Sequence, residues 1–194
     1  MKRKQKKMLK VNNIVQCGKF LIAEPFLPDP YFKRAVVLIS EHSEKGSVGF
    51  ILNKPTDLPL NEAVQDFPYF DAPLFFGGPV QGDTLHYVHR LGDKLTGSRE
   101  IVDGIYWGGD FEALKLLIDT KQVAPSEIRF FLGYSGWQSQ QLDSEIKEKS
   151  WIVTPATPHF TFLAAPKKLW QDVLKSMGAE YAILSNFPED PSLN

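Results

Sequence analysis

Apolar residues fall in short blocks through the first half of the chain. Lys19–Phe26 (KFLIAEPF) carries one block and is cut by Pro25 and the Pro28-Asp29-Pro30 turn, so it reads as a strand. Arg34–Glu41 holds Val36-Val37-Leu38-Ile39 with no polar alternation. That pattern needs both faces buried and predicts a central strand. Ser47–Asn53 (SVGFILN) is the third, and the short, glycine-bearing link His42–Gly46 predicts a hairpin between the two. If Glu41 faces Ser47, then Asn53 faces Ala35. His42 and Asn53 then lie at opposite ends of the hairpin, roughly 20 Å apart at ~3.3 Å per residue. Pro73–Phe76 and Thr84–His89 read as strands on either side of the Gly77-Gly78-Pro79 turn, with Ile101–Tyr106 and Glu127–Leu132 (EIRFFL) as two more.

Helical spacing enters later. Leu60–Phe67 reads as a short helix. Asp110 is a good N-cap for a helix to about Thr120, in which Phe111, Leu114, Leu117 and Ile118 keep helical spacing. Ser135 and Gln138 stand in capping-box spacing and predict a helix from there to about Lys149. On it Trp137, Gln141 and Glu145 would form one ridge, and Leu142 and Ile146 the apolar ridge facing the core. Trp151–Val153 reads as a short strand, Lys167–Met177 as a last helix closed by Gly178, and Tyr181–Leu184 as a final strand. Hairpins in one half and interspersed helices in the other predict a mainly antiparallel α+β fold rather than a doubly wound parallel sheet.

Composition narrows this to one domain. The chain has 194 residues, 43% hydrophobic and 23% charged. A chain of that length buries roughly 70% of its unfolded surface and needs no disulfide or metal to hold a core. Cys17 is the only cysteine, which excludes an internal disulfide. No run approaches the ~18 apolar residues of a membrane span. The first ten residues hold six lysines and arginines, but no apolar core of a secretory signal follows them. Bulky Gln16 also argues against a lipoprotein site at Cys17. The expected organisation is a basic, disordered leader over 1–17, one domain over 18–194, and a cytoplasmic location. Setting the six basic residues aside leaves 16 Lys and Arg against 23 Asp and Glu, so the body carries −7 within a chain of −1. Such a body repels phosphate backbones.

A set of short motifs carries a family likeness. Gly18-Lys19-Phe20-Leu21-Ile22-Ala23-Glu24-Pro25, then Asp29-Pro30-Tyr31-Phe32, Glu41-His42 and Gly49-Phe50-Ile51-Leu52-Asn53-Lys54-Pro55 open the series. Gly77-Gly78-Pro79-Val80 with Leu85-His86 follows, and then Gly133-Tyr134-Ser135-Gly136-Trp137, Gln141-Leu142, Glu145-Ile146 and Trp151. In this order they resemble the YqgE/AlgH family. The resemblance implies a bacterial cytosolic protein with a bifurcated sheet curled into a pseudo-barrel. It implies no activity, although one family member is named as a transcriptional regulator of alginate production. The family usually has alanine where this chain has Ser135 and glycine where it has Gln140, so a role for either side chain would not be a family role.

The candidate chemistry is sparse. Gly133–Trp137 sits in the context of a nucleophile elbow, but Trp137 stands where G-x-S-x-G needs glycine, so Ser135 reads as an N-cap. Trp137, Gln141 and Glu145 line a cleft, with the Gly136 and Trp137 amides at its mouth, or else Gln141 and Glu145 tie the helix to a neighbouring loop. Gly77-Gly78-Pro79 lacks the lysine and spacing of a phosphate loop and reads first as a turn where backbones approach closely. His86 and His89, three apart on a strand, point to opposite faces, and no metal-ligand set is present. His86 is the stronger functional candidate of the two. Asp29 and Asn53 form a second candidate patch. The readings are a binding module whose cleft, lined by Trp137, Gln141, Glu145 and the Gly77–Val80 turn, holds a small molecule or a peptide, an enzyme using His86 or His42 with Glu145 as acid and base, and a regulator by family name. No cofactor motif is found, and the oligomeric state is left open. The acidic body and the lack of a basic recognition helix predict that a chain of residues 18–194 will show no tight duplex-DNA binding at physiological salt in a gel-shift titration. Tight, salt-sensitive binding by that chain would support the regulator reading.

Overall fold

The computed structural model describes residues 14–188. In chain order the elements are β1 Lys19–Ala23, β2 Val36–Ser43, β3 Gly46–Ile51, α1 Leu60–Ala63, β4 Leu74–Phe76, β5 Val80–His89, β6 Arg99–Val102 and β7 Ile105–Trp107. They continue with α2 Phe111–Asp119, β8 Ile128–Gln138, α3 Gln141–Lys147, β9 Trp151–Pro155, a π-helical turn His159–Leu163, α4 Pro166–Ser176 and α5 Ala179–Leu184. The strands join in the order β6-β7-β5-β8-β3-β2-β1-β9, and β4 pairs in addition with β8. All pairings are antiparallel except β4 with β8. The result is the expected α+β fold, a curled antiparallel half-barrel with helices around it.

The sheet forks on β8. One flank of β8 pairs with β4 over Phe130–Leu132 and then with β3 over Ser135–Gln138. Its other flank pairs with β5. The switch falls at Gly133, whose φ of 65° lies in the left-handed region. Side-chain alternation reverses there: Phe131 and Tyr134, three apart, both pack in the inner core. Gly77 and Gly78 lie against the same point. A Cβ on Gly77 would stand 2.2 Å from the Gly133 oxygen, and one on Gly78 2.3 Å from the Tyr134 carbonyl carbon. The turn is thus a backbone-on-backbone contact that only glycine permits.

Three apolar clusters follow from the curl. The inner one joins Phe20, Leu38, Phe50, Val88 and Phe131 to Trp170 of α4. One outer cluster lies under α3 and holds Leu21, Val37, Ile51, Trp137, Leu142 and Trp151. The other lies under α1 and α2 and holds Leu60, Leu74, Leu114 and Phe130. β2 alternates between two of them, which is why its apolar run is unbroken: Val36 and Leu38 point inward, Val37 and Ile39 outward. Arg129 on β8 is buried, and among the described residues no carboxylate pairs with it. Its guanidinium donates to the Leu52 and Ala164 carbonyls and stacks 4.7 Å from the Phe75 ring, and burial lowers its pKa to about 10.

Several local expectations are corrected. Ser135 is not an N-cap: β8 runs on through it to Gln138, because β3 supplies partners for Ser135 and Trp137 at Gly49 and Ser47. Its buried hydroxyl donates to the Gly77 carbonyl at 3.0 Å. The helix starts six residues later at Gln141, after Gln140 turns the chain with φ 62°. Trp137 therefore lies on a strand, and the three-residue helical ridge does not exist. The same sheet pairing means that Gly136 and Trp137 present no helix-start amides. Tyr181–Leu184 is helix α5, seated beside α4, rather than a strand. α1 ends at Ala63, and Asp103-Gly104 divides the expected single strand into β6 and β7. A bulge at Ser40 moves the outer part of the β2–β3 hairpin by one residue, so His42 rather than Glu41 faces Ser47. Of the expected leader, residues 1–13 lie outside the described residues. Val15, within it, is buried, and the Cys17 thiol points at the Ser40 carbonyl.

His89 gives the fold a pH dependence. Its ring is fully buried, with Nε2 2.9 Å from the Gly108 carbonyl and Nδ1 accepting from the Leu91 amide at 3.1 Å. These partners require the neutral ring with its proton on Nε2. Burial lowers its pKa below the ordinary 6.5, only partly opposed by the Gly108 contact, and burial shifts His86 in the same direction. The unfolded chain then binds protons that the folded chain refuses. Stability is full above the ordinary histidine value and falls as pH drops below it. In urea titrations from roughly pH 7 to pH 5, His89→Gln should flatten that fall, with His86 keeping a remainder. An unchanged slope would show that His89 takes up its proton in the folded chain.

Candidate functional site

The outer end of β8, the β2–β3 hairpin tip and α3 meet in one corner. β3 holds β8 in register there, and the αL turn at Gln140 sends α3 back across the sheet face. Leu142 and Ile146 anchor α3 in the outer cluster, which leaves Gln141 and Glu145 beside the strand end. The Glu145 carboxylate is bonded from three sides. Its Oε2 accepts from the Trp137 indole at 2.9 Å and from the Trp151 indole at 2.8 Å. Its Oε1 accepts from the Gln141 amide at 3.0 Å, and the Gln141 oxygen accepts from the Gln138 backbone amide at 3.0 Å. The two indoles stand 6.0 Å apart and edge-on, with Phe32 against both. Gln141 and Glu145 thus tie α3 to the ends of β8 and β9.

Two depressions flank the hairpin tip. One, of about 510 Å³, is lined by Tyr134, Gly136 and Gln141 on the β8 side, with Val80, Glu41 and Lys45 around it and Trp137 in its wall. The other, of about 470 Å³, holds His42, Ser47, Gln138, Gln140 and Asp143. The structure therefore brings Gly136, Trp137 and Gln141 to one groove, with Glu145 behind them. Gly77 and Gly78 are buried at the fork of β8, and Pro79 is exposed next to Val80. His86 stands behind the groove: its ring meets Tyr134 edge-on at 5.7 Å and packs on Phe50 at 5.3 Å, and Nε2 lies 3.1 Å from the Thr84 hydroxyl. Burial lowers the pKa of this ring, which favours its neutral form. His42 Nδ1 is 2.8 Å from the Ser47 hydroxyl. Among the described residues no histidine is hydrogen-bonded to a carboxylate, and no three His, Cys, Asp or Glu residues gather closely enough to hold a metal ion.

The second patch lies at the far end of the hairpin, as the strand arithmetic requires. Asp29 Oδ1 accepts from the amides of Tyr31 and Phe32 and closes the turn before β2. Asn53 accepts from the Val36 amide and donates to the Arg34 carbonyl, both at 2.9 Å. Lys33, Arg34, Lys54 and Lys167 gather around them, a cluster that sequence reading did not single out. Lys54 adjoins Asn53 in sequence and was within reach of that reading. Lys167 arrives from α4 and carries no local signal.

An AlgH-like family model matches residues 20–182, most of the chain. The chain belongs to the AlgH-like family. Relatives of this AlgH-like chain include a UPF0301 protein of Chlorobium luteolum, 47% identical over 177 residues, which is 91% of this chain and 94% of that one. A UPF0301 protein of Cytophaga hutchinsonii is 46% identical over 178 residues, covering 91% and 98%. Among solved structures, the AlgH protein of Pseudomonas aeruginosa matches with a TM-score of 0.71 at 26% identity over 97% of this chain and 98% of that one. A protein of Corynebacterium diphtheriae shares the fold with a TM-score of 0.73 at 24% identity, over 90% and 93%. None of these names states a ligand or a reaction. Among the described residues of the AlgH-like chain, no helix is long and apolar enough to cross a membrane.

The three-way hydrogen bonding of Glu145 makes a stability prediction. Glu145→Ala strands two indole N–H groups on nearly buried rings, at about 1–3 kcal/mol for each one that water cannot reach. Glu145→Gln keeps one oxygen for both indoles but sets an amide against the Gln141 amide, so its loss should be smaller. Urea unfolding followed by tryptophan fluorescence ranks the two. A loss below ~0.5 kcal/mol for Glu145→Ala, the level of an ordinary surface change, would show that the carboxylate is not a structural tie.

Proposed function

We propose that this AlgH-like protein is a cytoplasmic binding module that holds a small ligand, or the end of a peptide segment, in the groove between the hairpin tip and the end of β8. The observation that carries this reading is the groove of about 510 Å³ in which Tyr134 and Val80 offer apolar surface while Glu41, Lys45 and Gln141 offer polar groups. That size and mixed lining suit a small ligand. The indole–carboxylate tie below it supports the reading, because it holds the β8 wall rigid, and a preorganised wall loses less entropy on binding. Gly136 leaves backbone accessible at the groove floor, and His86 backs Tyr134 and sets its ring. An acid–base enzyme is the weaker reading, since Glu145 is fully engaged by three internal donors, and its partners Trp137 and Trp151 pack in the outer cluster whereas His86 packs on Phe50 of the inner one.

A fragment library titrated into the labelled protein tests the proposal by amide chemical shifts. Binding fragments should move the Lys45, Gly136 and Gln138 amides together and leave Asn53 unmoved. Lys45→Glu, a change at the exposed hairpin tip, should weaken those fragments without shifting the thermal midpoint. Shifts scattered over the surface, or none in this groove, would remove the assignment.

A further inference from the structure

A second pocket, independent of the groove, lies at the opposite end of the β2–β3 hairpin. It has a volume of about 380 Å³, and four cationic side chains reach it from three separate segments: Lys33 and Arg34 before β2, Lys54 after β3, and Lys167 at the start of α4. The body of the chain otherwise carries an excess of acid, so a gathering of this kind is against its average charge. Arg34 is built in. Its backbone takes a left-handed φ of 51°, and its carbonyl accepts from Asn53. Its guanidinium lies 4.7 Å over the Trp170 ring and donates to the Phe187 carbonyl. Lys54 is also placed, with Nζ 3.1 Å from the Pro30 carbonyl. Desolvation lowers its pKa, opposed by the charge of Asp29, so a positive Lys54 here lacks part of its water shell. The ammonium groups of Lys33 and Lys167 are exposed and make no hydrogen bond or ion pair among the described residues.

The start of α4 adds to the same field. This eleven-residue helix begins at Pro166 after Ala165, which has no side chain to accept from the first-turn amides, and its first turn contains no acidic residue. Lysines stand there instead, at Lys167 and Lys168. Cations at the positive end of a helix are electrostatically unfavourable unless an anion joins them. In that turn Pro166 has no N–H and the Lys168 amide donates to the Ala165 carbonyl at 3.0 Å, which leaves the Lys167 amide. That amide and the converging ammonium groups suit an oxyanion with more than one charge, because lysines act as point charges that share several oxygens. We infer that this pocket is a binding site for a phosphate-class oxyanion, either a free phosphate or the phosphate of a small metabolite, held by Lys33, Lys54, Lys167 and the Lys167 backbone amide over the Arg34–Trp170 stack.

The test is a titration of the full chain with pyrophosphate, read from amide and indole chemical shifts. A parallel chain carries Glu189→Gln and Asp190→Asn, which removes the two carboxylates that follow Phe187 in sequence. Saturable shifts at Lys167, Lys168 and the Trp170 indole are expected in at least one of the two chains. Lys33→Gln with Lys167→Gln should weaken the binding by roughly tenfold or more, as loss of two charge-assisted contacts implies. A Lys115→Gln control on α2 should not. Added salt should weaken the binding as well. Inorganic phosphate and a phosphomonoester such as ribose 5-phosphate, run in turn, distinguish the free ion from an esterified one by their relative affinity. The absence of saturable shifts in both chains would overturn the site, and so would shifts that persist unchanged in the double lysine variant.

Discussion

The chain passes from β4 into β5 only by laying Gly77 and Gly78 onto β8 with no space for a side chain. Much of the architecture depends on that contact. It lets β8 pair with β4 along its first half and with β3 along its second, so that the sheet forks without leaving a long unpaired edge. The Gly77 carbonyl is shared at the crossing by the Ile51 amide and the Ser135 hydroxyl, each at 3.0 Å, and the Gly77 amide donates to Leu132. A backbone buried this closely must satisfy its own polar groups, and this one does so through two neighbouring strands, β3 and β8. Gly133 then reverses the alternation of β8, which directs Tyr134 inward and Trp137 to the opposite face.

From that reversal comes the geometry of the outer corner. Trp137 reaches the cluster under α3 because the strand changed faces four residues earlier, and Glu145 can then accept from both indoles with one oxygen. A carboxylate between two indoles converts two buried donors from a liability into a fixed joint between β8, α3 and β9. The same joint closes one side of the groove at the hairpin tip. At the hairpin's other end Asn53 serves a comparable purpose, completing the backbone bonds of Arg34 and Val36 where β2 starts. Both ends of one hairpin thus carry a built corner beside an open one, and the cations gather only at the Asn53 end.

Local rules succeeded wherever local chemistry was uncontested. Asp110 does cap α2, its carboxylate accepting from the Ala113 amide at 2.9 Å. The unbroken Val36–Ile39 run is the central strand it was read as, and the inner part of the hairpin keeps the expected register. The capping-box spacing at Ser135 failed because a cap contributes about 1 kcal/mol, while strand pairing with β3 and burial of Trp137 together outweigh that preference. Tyr181–Leu184 failed for a related reason: a short apolar run does not by itself distinguish a strand from a helix that lies against another helix.

The order of apolar blocks, the punctuating glycines and prolines, and the spacing of the family motifs determined the α+β class, the family and the hairpin that separates His42 from Asn53. Those are properties of neighbouring residues, and periodicity or spacing records them directly. The tertiary structure alone decided which faces those residues use. A single left-handed glycine in β8 inverts every side chain after it, and no pattern in the residues themselves announces the inversion. It also decided the company each polar group keeps. Glu145 meets Trp137 and Trp151, and Lys167 meets Lys33 and Lys54, because packing of separate segments sets those distances, whereas sequence separation constrains them hardly at all.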